Sequence, residues 1–224
     1  LDDAGLLGDA AYTAIDAMPE NITTARTRLA PRQLNLSLQA IDLFDFIDQN
    51  AGRQWDLLIA HAFLDLMDVA ATLPKLFSLL RPGGAFYFTI NFDGATIFQP
   101  TIDPALDAHI EALYHRSMDE RLTDGKPSGD SRSGRHLFPQ LTDAGAAIHA
   151  AGSSDWVVFA GPDGYPADEA YFLHFIIHFF ETTLAGHPEL DAGQFADWLA
   201  QRRAQINSGD LVYIAHQIDF FGCV

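Results

Sequence analysis

The chain has 224 residues, of which 48% are hydrophobic and 19% charged, so it can bury a sizeable core and does not have the composition of a disordered protein. Thirteen Lys and Arg stand against thirty Asp and Glu, and the formal net charge of −17 argues against a nucleic-acid partner. No apolar run approaches the roughly 18 residues that span a bilayer, and the single cysteine excludes an intrachain disulfide. These features predict a single cytoplasmic domain over residues 1–224, with no membrane partner.

The first half of the chain alternates between strand and helix patterns. Apolar runs rich in β-formers indicate strands, and one of them, residues 55–64, is continuous enough for a strand covered on both faces. Pro19 is a favoured first helical residue, and Arg81-Pro82-Gly83-Gly84 stops a later helix. The predicted strands are residues 11–16, 34–43, 55–64 and 85–92, and the predicted helices are residues 19–29 and 69–80.

The second half carries more helix. A helix over residues 103–121 is followed by a polar loop over residues 123–135 and by a helix that we expect to reach about Ala151. The remaining predicted elements are a strand at residues 155–161, helices at 168–184 and 191–206, and a strand at 211–221. Alternating strands and helices predict an α/β fold with a doubly wound, mostly parallel sheet.

An acid closes each of the first two predicted strands. Ligands of such sheets bind outside the carboxyl ends of the strands, where a carboxylate can accept both hydroxyls of a ribose. Asp16 has that place, Asp42 could accept from an adenine amino group, and Met18 offers an apolar face to the ring. Alternatively, both acids only cap turns and helix starts, as Asp commonly does. The joint pattern favours a nucleoside site.

Several segments resemble those of class I S-adenosylmethionine-dependent methyltransferases. Residues 11–21 (AYTAIDAMPEN) resemble the second strand and following helix of that family. Residues 55–63 (WDLLIAHAF) are similar to its fourth strand, and residues 80–84 (LRPGG) to the turn before its fifth. Residues 135–152 and 155–156 resemble its later helix and antiparallel strand pair. The resemblance implies a Rossmann-like methyltransferase fold with an antiparallel last strand and extra helices in the C-terminal part.

The resemblance also implies S-adenosylmethionine as the cofactor and a set of residues that hold it. Asp16 would bind the ribose hydroxyls, Met18 would pack on adenine, and Asp42 would bond the adenine amino group. Ala60 and His61 would pass near the methionyl end. The cofactor-binding residues implied in this way are Asp16, Ala17, Met18, Asp42, Leu43, Ala60 and His61. We expect no metal.

The glycine-rich loop that follows the first strand of the family has no counterpart upstream of Asp16. Gly5 and Gly8 lie where the family has the end of its first helix. A parallel sheet without its central strand would leave two apolar edges unpaired. We therefore expect further residues upstream of Leu1 in the natural protein.

The sequence after the fourth strand of the family limits the methyl acceptor. An Asn/Asp-Pro-Pro-aromatic sequence there would indicate an amino group of a base or an amide, but residues 60–63 are Ala-His-Ala-Phe. No nucleophilic cysteine is near, which argues against C5 methylation of pyrimidines. Small-molecule and protein acceptors remain. His61 is the candidate catalytic base for an O or N nucleophile; alternatively, it orients the cofactor or satisfies a backbone group.

Five of the thirteen basic residues fall within twenty positions of an otherwise acidic chain: Arg116, Arg121, Lys126, Arg132 and Arg135. As a helical lid over about residues 100–135, this window could pair with an anionic group of a substrate. The expected substrate-binding residues are Asn91, Tyr114, Arg116, Arg132 and Arg135. Alternatively, the window is an exposed loop that pairs with Asp119, Asp124 and Asp130.

A second helical feature is the pair expected over about residues 168–206. Residues 171–181 (YFLHFIIHFFE) are apolar on nearly every helical face, and His174 and His178 lie four residues apart. A zinc site would need a further ligand that the segment does not show. A buried helix or a helix that forms a homodimer is favoured, and it could also roof a substrate pocket.

The leading hypothesis is methyl transfer from S-adenosylmethionine to a small molecule at O or N, and the basic window is suited to an anionic one. Direct displacement would depend mostly on positioning the two reactants in line. The alternative is a catalytically silent protein of the same fold that binds a partner or ligand. A nicotinamide-dependent dehydrogenase shares the strand-end acid, but Asp42 and residues 80–84 fit that class less well.

Overall fold

The computed structural model describes residues 10–32, 34–123 and 125–224. The chain divides into two compact units, Leu1–Gln54 and Trp55–Val224, each with its own sheet. Gly5 and Gly8 lie outside the described residues. The organisation as one domain, with a lid and a helical pair, stays a prediction.

The first unit contains two parallel strands, each followed by a helix. Its elements are β1 (Ala11–Asp16), α1 (Pro19–Leu29), β2 (Asn35–Ala40) and α2 (Leu43–Gln49). The register runs from Ala11 opposite Asn35 to Asp16 opposite Ala40. The strand predicted over residues 34–43 therefore ends earlier, and α2 was not predicted, because Asp42 closes a short turn and begins a helix instead of ending the strand.

Among the described residues, the second unit contains a five-stranded sheet, a separate two-stranded sheet and five helices. Its strands are β3 (Trp55–His61), β4 (Leu80–Gln99), β5 (Leu122–Thr123), β6 (Lys126–Pro127), β7 (Ala147–Ser153), β8 (Trp156–Val158) and β9 (Val212–Cys223). Its helices are α3 (Val69–Phe77), α4 (Pro104–Asp119), α5 (Ser133–Asp143), α6 (Glu169–Leu184) and α7 (Ala192–Ser208). A short 3-10 turn, Leu64–Leu66, follows β3.

Strand β9 organises this second sheet. The strand order is β3-β4-β9-β7, and β8 also pairs with β9. Strands β3 and β4 are parallel, whereas β4, β7 and β8 all run antiparallel to β9. The α/β fold class and the antiparallel last strand are confirmed, and the helices fall between the strands as the sequence predicted.

Several predicted boundaries in the second unit are wrong: the helix predicted over residues 69–80 ends at Phe77, the strand predicted over residues 85–92 runs from Leu80 to Gln99, and two later elements differ more. The helix expected to reach about Ala151 ends at Asp143, where Gly145 leaves the helical conformation at φ 87°, and residues 147–153 form β7. These alanine-rich residues pair with β9, so long-range strand pairing overrides their local helical preference. The loop predicted over residues 123–135 contains the β5–β6 hairpin and the first turn of α5.

The apolar core of the second unit lies between α4, α6 and α7 and the outer part of the sheet. Leu173, Ile177 and Phe180 of α6 are fully buried there, together with Trp198 of α7. This core includes Tyr213 and Ala215 of β9, and Phe98 of β4 packs against it, so it lies on the part of the antiparallel β4–β9 pair beyond residue 92 of β4. Within the described ranges, no helix is long and apolar enough to cross a membrane.

Candidate functional site

Two carboxylates lie at the end of the first sheet and act as local caps. Asp16 ends β1; its Oδ1 accepts the backbone N–H of Met18 at 2.7 Å, and its Oδ2 accepts from Asn21 Nδ2 at 3.0 Å. Asp42 is the N-cap of α2, and its Oδ1 accepts from the backbone of Phe44 at 2.7 Å and of Asp45 at 3.4 Å. Both carboxylates therefore make the capping hydrogen bonds that the sequence analysis gave as the alternative to a nucleoside site.

The parallel register brings the same two carboxylates to one edge. Asp16 lies opposite Ala40, two residues before Asp42, and the Asp16 carbonyl accepts the N–H of Ile41 at 3.0 Å. Met18 next to them is 57% exposed. Since each carboxylate oxygen can accept more than one hydrogen bond, capping leaves capacity for the hydroxyls and amino group of a nucleoside. The residues gathered here are Asp16, Ala17, Met18, Asp42 and Leu43, and their binding of a nucleoside stays a prediction.

In the second unit, the backbone is strained where β3 ends and beside it in β4. Ala62 follows the last residue of β3 at φ 48°, and Ile90 lies in a bulge of β4 at φ 60°. A positive φ is costly for a branched residue such as Ile, and such strain clusters at functional sites. The N–H of Ile90 donates to Asp219 Oδ1 at 2.9 Å, which holds the bulge in place.

His61 lies at this strained edge, after Ala60 in β3. Its side chain is exposed, and its Nδ1 is hydrogen-bonded to the hydroxyl of the buried Thr89. The ring of Tyr87 contacts the imidazole edge-on at 6.2 Å between centroids. If Nδ1 carries the proton and donates to Thr89, the outer nitrogen, Nε2, has a free lone pair and can accept a proton.

A buried carboxylate of β4, that of Asp93, anchors α5. Asp93 Oδ1 accepts from the backbone N–H of Arg135 at 2.9 Å and from its Nε at 2.8 Å. Burial alone would raise the pKa of the Asp93 carboxyl. The hydrogen bonds from Arg135 and the charges of Arg135 and His216 outweigh burial and hold that pKa below its ordinary value.

His216 of β9 connects this anchor to a second carboxylate. Its Nε2 lies 3.6 Å from Asp93 Oδ2, and its Nδ1 lies 2.7 Å from Asp155 Oδ1. Ser153 Oγ also donates to Asp155 Oδ1 at 2.6 Å. Hydrogen bonds from Ser153 and His216 lower the pKa of Asp155. Through His216, this group connects Asp93 of β4 and strand β9 to Asp155, which lies between β7 and β8.

Three of the five predicted substrate residues lie around the first turn of α5. Gly134 packs so closely on β4 that a Cβ there would be 3.0 Å from the carbonyl oxygen of Asn91. Arg132 and Arg135 flank Gly94, where a Cβ would be 3.3 Å from Arg132 Cγ and 3.6 Å from Arg135 Nη2. Asn91 is buried and donates from Nδ2 to the Ile218 carbonyl at 2.7 Å, while its Oδ1 has no partner in the described chain.

The structure places the other two predicted substrate residues on α4. The ring of Tyr114 stacks on Phe180 with 3.8 Å between centroids, and burial raises the pKa of its hydroxyl. Arg116 forms an ion pair with Glu189 at 2.5 Å. Arg121, from the same basic window, donates to the carbonyls of Ser128 and Asp65. Much of the window is therefore used within the protein, and its role toward a substrate stays a prediction.

Sequence reasoning missed Asp93, Asp155 and His216. Asp93 directly follows a predicted strand, as Asp16 does, so the same pattern could have identified it. It also missed a half-buried pair on α4: partial burial lowers the pKa of His115 and raises that of Glu111, and both groups contact Thr96 of β4.

The paired histidines of α6 have separate partners. His174 bonds Asn207 at 3.2 Å, and His178 lies 3.7 Å from Glu181. Among the residues that the structure describes, no group of three or more His, Cys, Asp or Glu is arranged to hold a metal ion. A groove of about 450 Å³ between α4 and α7 is lined by Asp103, His109 and Trp198 among others.

The sequence matches a known family over part of its length, and the fold is similar to that of solved structures. Residues 2–88 match the family described as "Methyltransferase domain". A protein of Bacillus halodurans C-125, described as a candidate methyltransferase, has a similar structure with a TM-score of 0.52 and 9% identity; the match covers 94% of this chain and 81% of that one. No protein of curated function matches the sequence.

Two further solved structures have the same fold. A SAM-dependent methyltransferase of Methanosarcina mazei matches with a TM-score of 0.50 and 11% identity, over 99% of this chain and 85% of that one. The YcgJ protein of Bacillus subtilis matches with a TM-score of 0.50 and 11% identity, over 94% and 81% of the two chains. S-adenosylmethionine is the cofactor that the family and the fold indicate. The resemblance to class I S-adenosylmethionine-dependent methyltransferases is therefore confirmed: residues 2–88 carry the sequence of the methyltransferase domain, and the chain carries the fold.

Proposed function

We propose that this chain transfers the methyl group of S-adenosylmethionine to an oxygen or nitrogen atom of a small molecule. The observation that carries the proposal is the placement of Asp16 and Asp42 at one edge of two adjacent parallel strands, within the segment that matches the methyltransferase domain. Ligands of open α/β sheets bind at this edge. We further propose that the protein acts in the cytoplasm.

In the first unit, the chain's task is to hold the nucleoside. The carboxylate of Asp16 accepts hydrogen bonds from the ribose hydroxyls while it remains fixed by Met18 N and Asn21 Nδ2. Asp42 accepts from the adenine amino group, and the exposed side chain of Met18 covers one face of the ring. The backbone of Ala17 and Leu43 lies beside these groups. Because both acids are already fixed as caps, the binding geometry is formed before the cofactor arrives.

In the second unit, Ala60 and His61 serve the methionyl end and the acceptor. The cofactor supplies a methyl group on a positively charged sulfur, so the chain's own contribution is mainly to align an acceptor atom with it. His61 is fixed through Nδ1 by Thr89, which leaves Nε2 to take the proton that an O or N nucleophile loses. Ala62 and Ile90, both at positive φ, directly follow His61 and Thr89 in the chain.

Acceptor binding is assigned to Asn91, Tyr114, Arg116, Arg132 and Arg135, and the structure gives Arg132 the strongest support. Its side chain is exposed beside Gly94, a residue of β4 with φ 71°. In a chain of net charge −17, an exposed guanidinium at this place favours an acceptor with a carboxylate or phosphate group. Asn91 contributes through its unpartnered Oδ1, which can accept from a hydroxyl or amine.

The test is turnover on defined acceptors. The protein is incubated with S-adenosylmethionine and a panel of anionic and neutral small molecules carrying hydroxyl or amino groups, and formation of S-adenosylhomocysteine is measured. We expect turnover on a subset of the anionic acceptors, lost in Arg132→Ala and reduced about 10²–10⁴-fold in His61→Asn. His149→Asn, at an exposed position of β7, is the matched control and should retain activity. Cofactor binding without turnover on any acceptor would favour the catalytically silent alternative.

A further inference from the structure

Helix α6 presents an aromatic ridge to solvent. Tyr171, Phe175 and Phe179 are 71%, 44% and 42% exposed. Their rings contact each other in sequence, with centroids 6.1 Å apart for the first pair and 4.7 Å apart for the second. Three touching aromatic rings at intervals of four residues form one continuous apolar surface, unlike the isolated exposed apolar residues that are common on soluble proteins. We name these three residues the α6 ridge.

The ridge is not needed for the protein's own core. The opposite side of α6 supplies Leu173, Ile177, Phe180 and Leu184, which are at most 1% exposed. Those side chains already fill the space between α4, α6 and α7. The helix therefore has two apolar faces, of which the described chain uses one, and the second is available for another molecule.

We propose that the α6 ridge is the surface through which two copies of this chain form a homodimer. Phe175 lies at its centre, four residues from Tyr171 and four from Phe179. Across a two-fold axis at Phe175, two antiparallel α6 helices place Phe175 against Phe175 and Tyr171 against Phe179 of the second copy. The ridge is thus self-complementary, as an isologous interface requires, and ridges of residues four apart interlock in the commonest class of helix packing.

Charge supports a second copy as the occupant. Two chains of net charge −17 repel each other over most of their surfaces, so they can meet closely only where charge is absent. The segment from Tyr171 to Phe179 contains no Asp, Glu, Lys or Arg. Glu181, just beyond it, is already paired with Arg203 at 2.5 Å. The absence of basic residues on the ridge also disfavours an anionic membrane or a nucleic acid as the occupant.

The exposed area of the α6 ridge is of the same order as the area that a standard interface buries on each partner. The exposed parts of the three rings amount to roughly 300–400 Å² per copy, judged from the usual size of aromatic side chains, against about 800 Å² per partner in a standard interface. Trp156 of β8 is also 40% exposed, and it stacks on Phe172, the residue that follows Tyr171 in α6. Aromatic residues at the centre of such a patch are the usual sites of strongest binding.

Sedimentation velocity over a wide range of protein concentration tests the proposal. We expect a dimer for the unaltered chain and at least about thirtyfold weaker association for Phe175→Glu, the effect of removing one central aromatic anchor. Leu122→Glu is the matched control, because Leu122 is 62% exposed on β5 and the same charge there should leave the dimer intact. Thermal unfolding of each variant shows whether it is folded.

Two variants of opposite charge at residue 175 test the two-fold geometry of the proposed dimer. Because residue 175 meets its own copy, Phe175→Glu alone and Phe175→Lys alone should both be monomers, whereas an equimolar mixture should recover a heterodimer. A monomeric unaltered chain, a dimer that withstands Phe175→Glu, or no recovery in the mixture would each overturn the proposal. Binding of a monomeric chain to neutral phosphatidylcholine vesicles through the ridge would overturn it in favour of a lipid surface.

Discussion

Asp93 of β4 caps α5 from outside the helix: its Oδ1 accepts both the backbone N–H and the Nε–H of Arg135, at 2.9 and 2.8 Å. The residue at the N-cap position, Arg132, makes no capping hydrogen bond with its side chain. A carboxylate from a neighbouring strand therefore replaces the capping side chain. The same carboxylate holds the helix that carries the predicted substrate-binding arginines.

Replacing this carboxylate should destabilise the protein. We expect Asp93→Ala to lower the free energy of unfolding by about 1–2 kcal/mol, the usual cost of losing an N-cap, and Asp93→Asn to lower it less, because an amide oxygen can still accept from Arg135. Urea unfolding followed by circular dichroism measures both. Equal stability of Asp93→Ala and the unaltered chain would show that the contact contributes nothing to folding.

The same carboxylate should make stability depend on pH in the acidic range. Its pKa is lower in the folded protein than in the unfolded chain, so its contribution is fully present above the unfolded pKa and is lost as pH falls through the folded one. We expect the melting temperature to fall below about pH 4, and to fall less steeply in Asp93→Asn. Arg135, His216 and Asp155 surround this group, so the comparison is made within one buffer series and not between different salts. A parallel decline in the two proteins would contradict the prediction.

A buried arginine should matter far more than its exposed neighbour. Arg202 of α7 has a fully buried side chain and donates to Asp107 Oδ1 at 2.8 Å and to the Pro100 carbonyl at 2.7 Å. Arg202→Met leaves Asp107 without this partner and should cost about 3–5 kcal/mol in unfolding free energy. Arg203→Ala, which breaks the exposed pair with Glu181, should cost less than about 1 kcal/mol. Similar losses in urea unfolding for the two variants would contradict this account.

The close contact between α5 and β4 predicts sensitivity to a single methyl group. A Cβ at Gly134 would lie 2.8 Å from Asp93 Cβ and 3.0 Å from the Asn91 carbonyl oxygen, so α5 would have to shift. Gly134→Ala should therefore cost about 1–3 kcal/mol. Gly152→Ala is the control, because a Cβ there has no neighbour within 4 Å. Unchanged stability of Gly134→Ala would mean that the two elements are less tightly packed than described.

In the first unit, the sequence predicted correctly the elements whose ends are marked by neighbouring residues. Strand β1 and helix α1 have the predicted bounds, because an acid and a proline lie at the junction between them. Helix α2 was missed because it begins only three residues after β2 ends, inside an alternation that continued as a strand pattern. Strand β7 was predicted as helix because its alanines favour helix in isolation, whereas its pairing with β9 depends on residues more than sixty positions away.

The candidate site, like the fold, was predictable only where its residues follow a local sequence pattern. Asp16, Asp42 and His61 could be placed at strand ends because each follows a recognisable apolar run. Asp93 also follows an apolar run, but its grouping with Asp155 and His216 could not be predicted, because the three residues lie 61 or more positions apart. Asn91 was predicted to face a substrate, but its burial and its bond to Ile218 depend on the register of β4 and β9.

Calorimetric titration of S-adenosylhomocysteine into the folded chain tests the central claim most directly. We predict binding of one molecule per chain, weakened at least about tenfold in Asp16→Asn, the effect of losing hydrogen bonds to a charged group. Asp48→Asn, an equal charge change at an exposed position of α2, should leave binding unchanged, and NAD should not bind. No binding of S-adenosylhomocysteine by the folded protein, or equal binding by the Asp16→Asn variant, would contradict the assigned cofactor site.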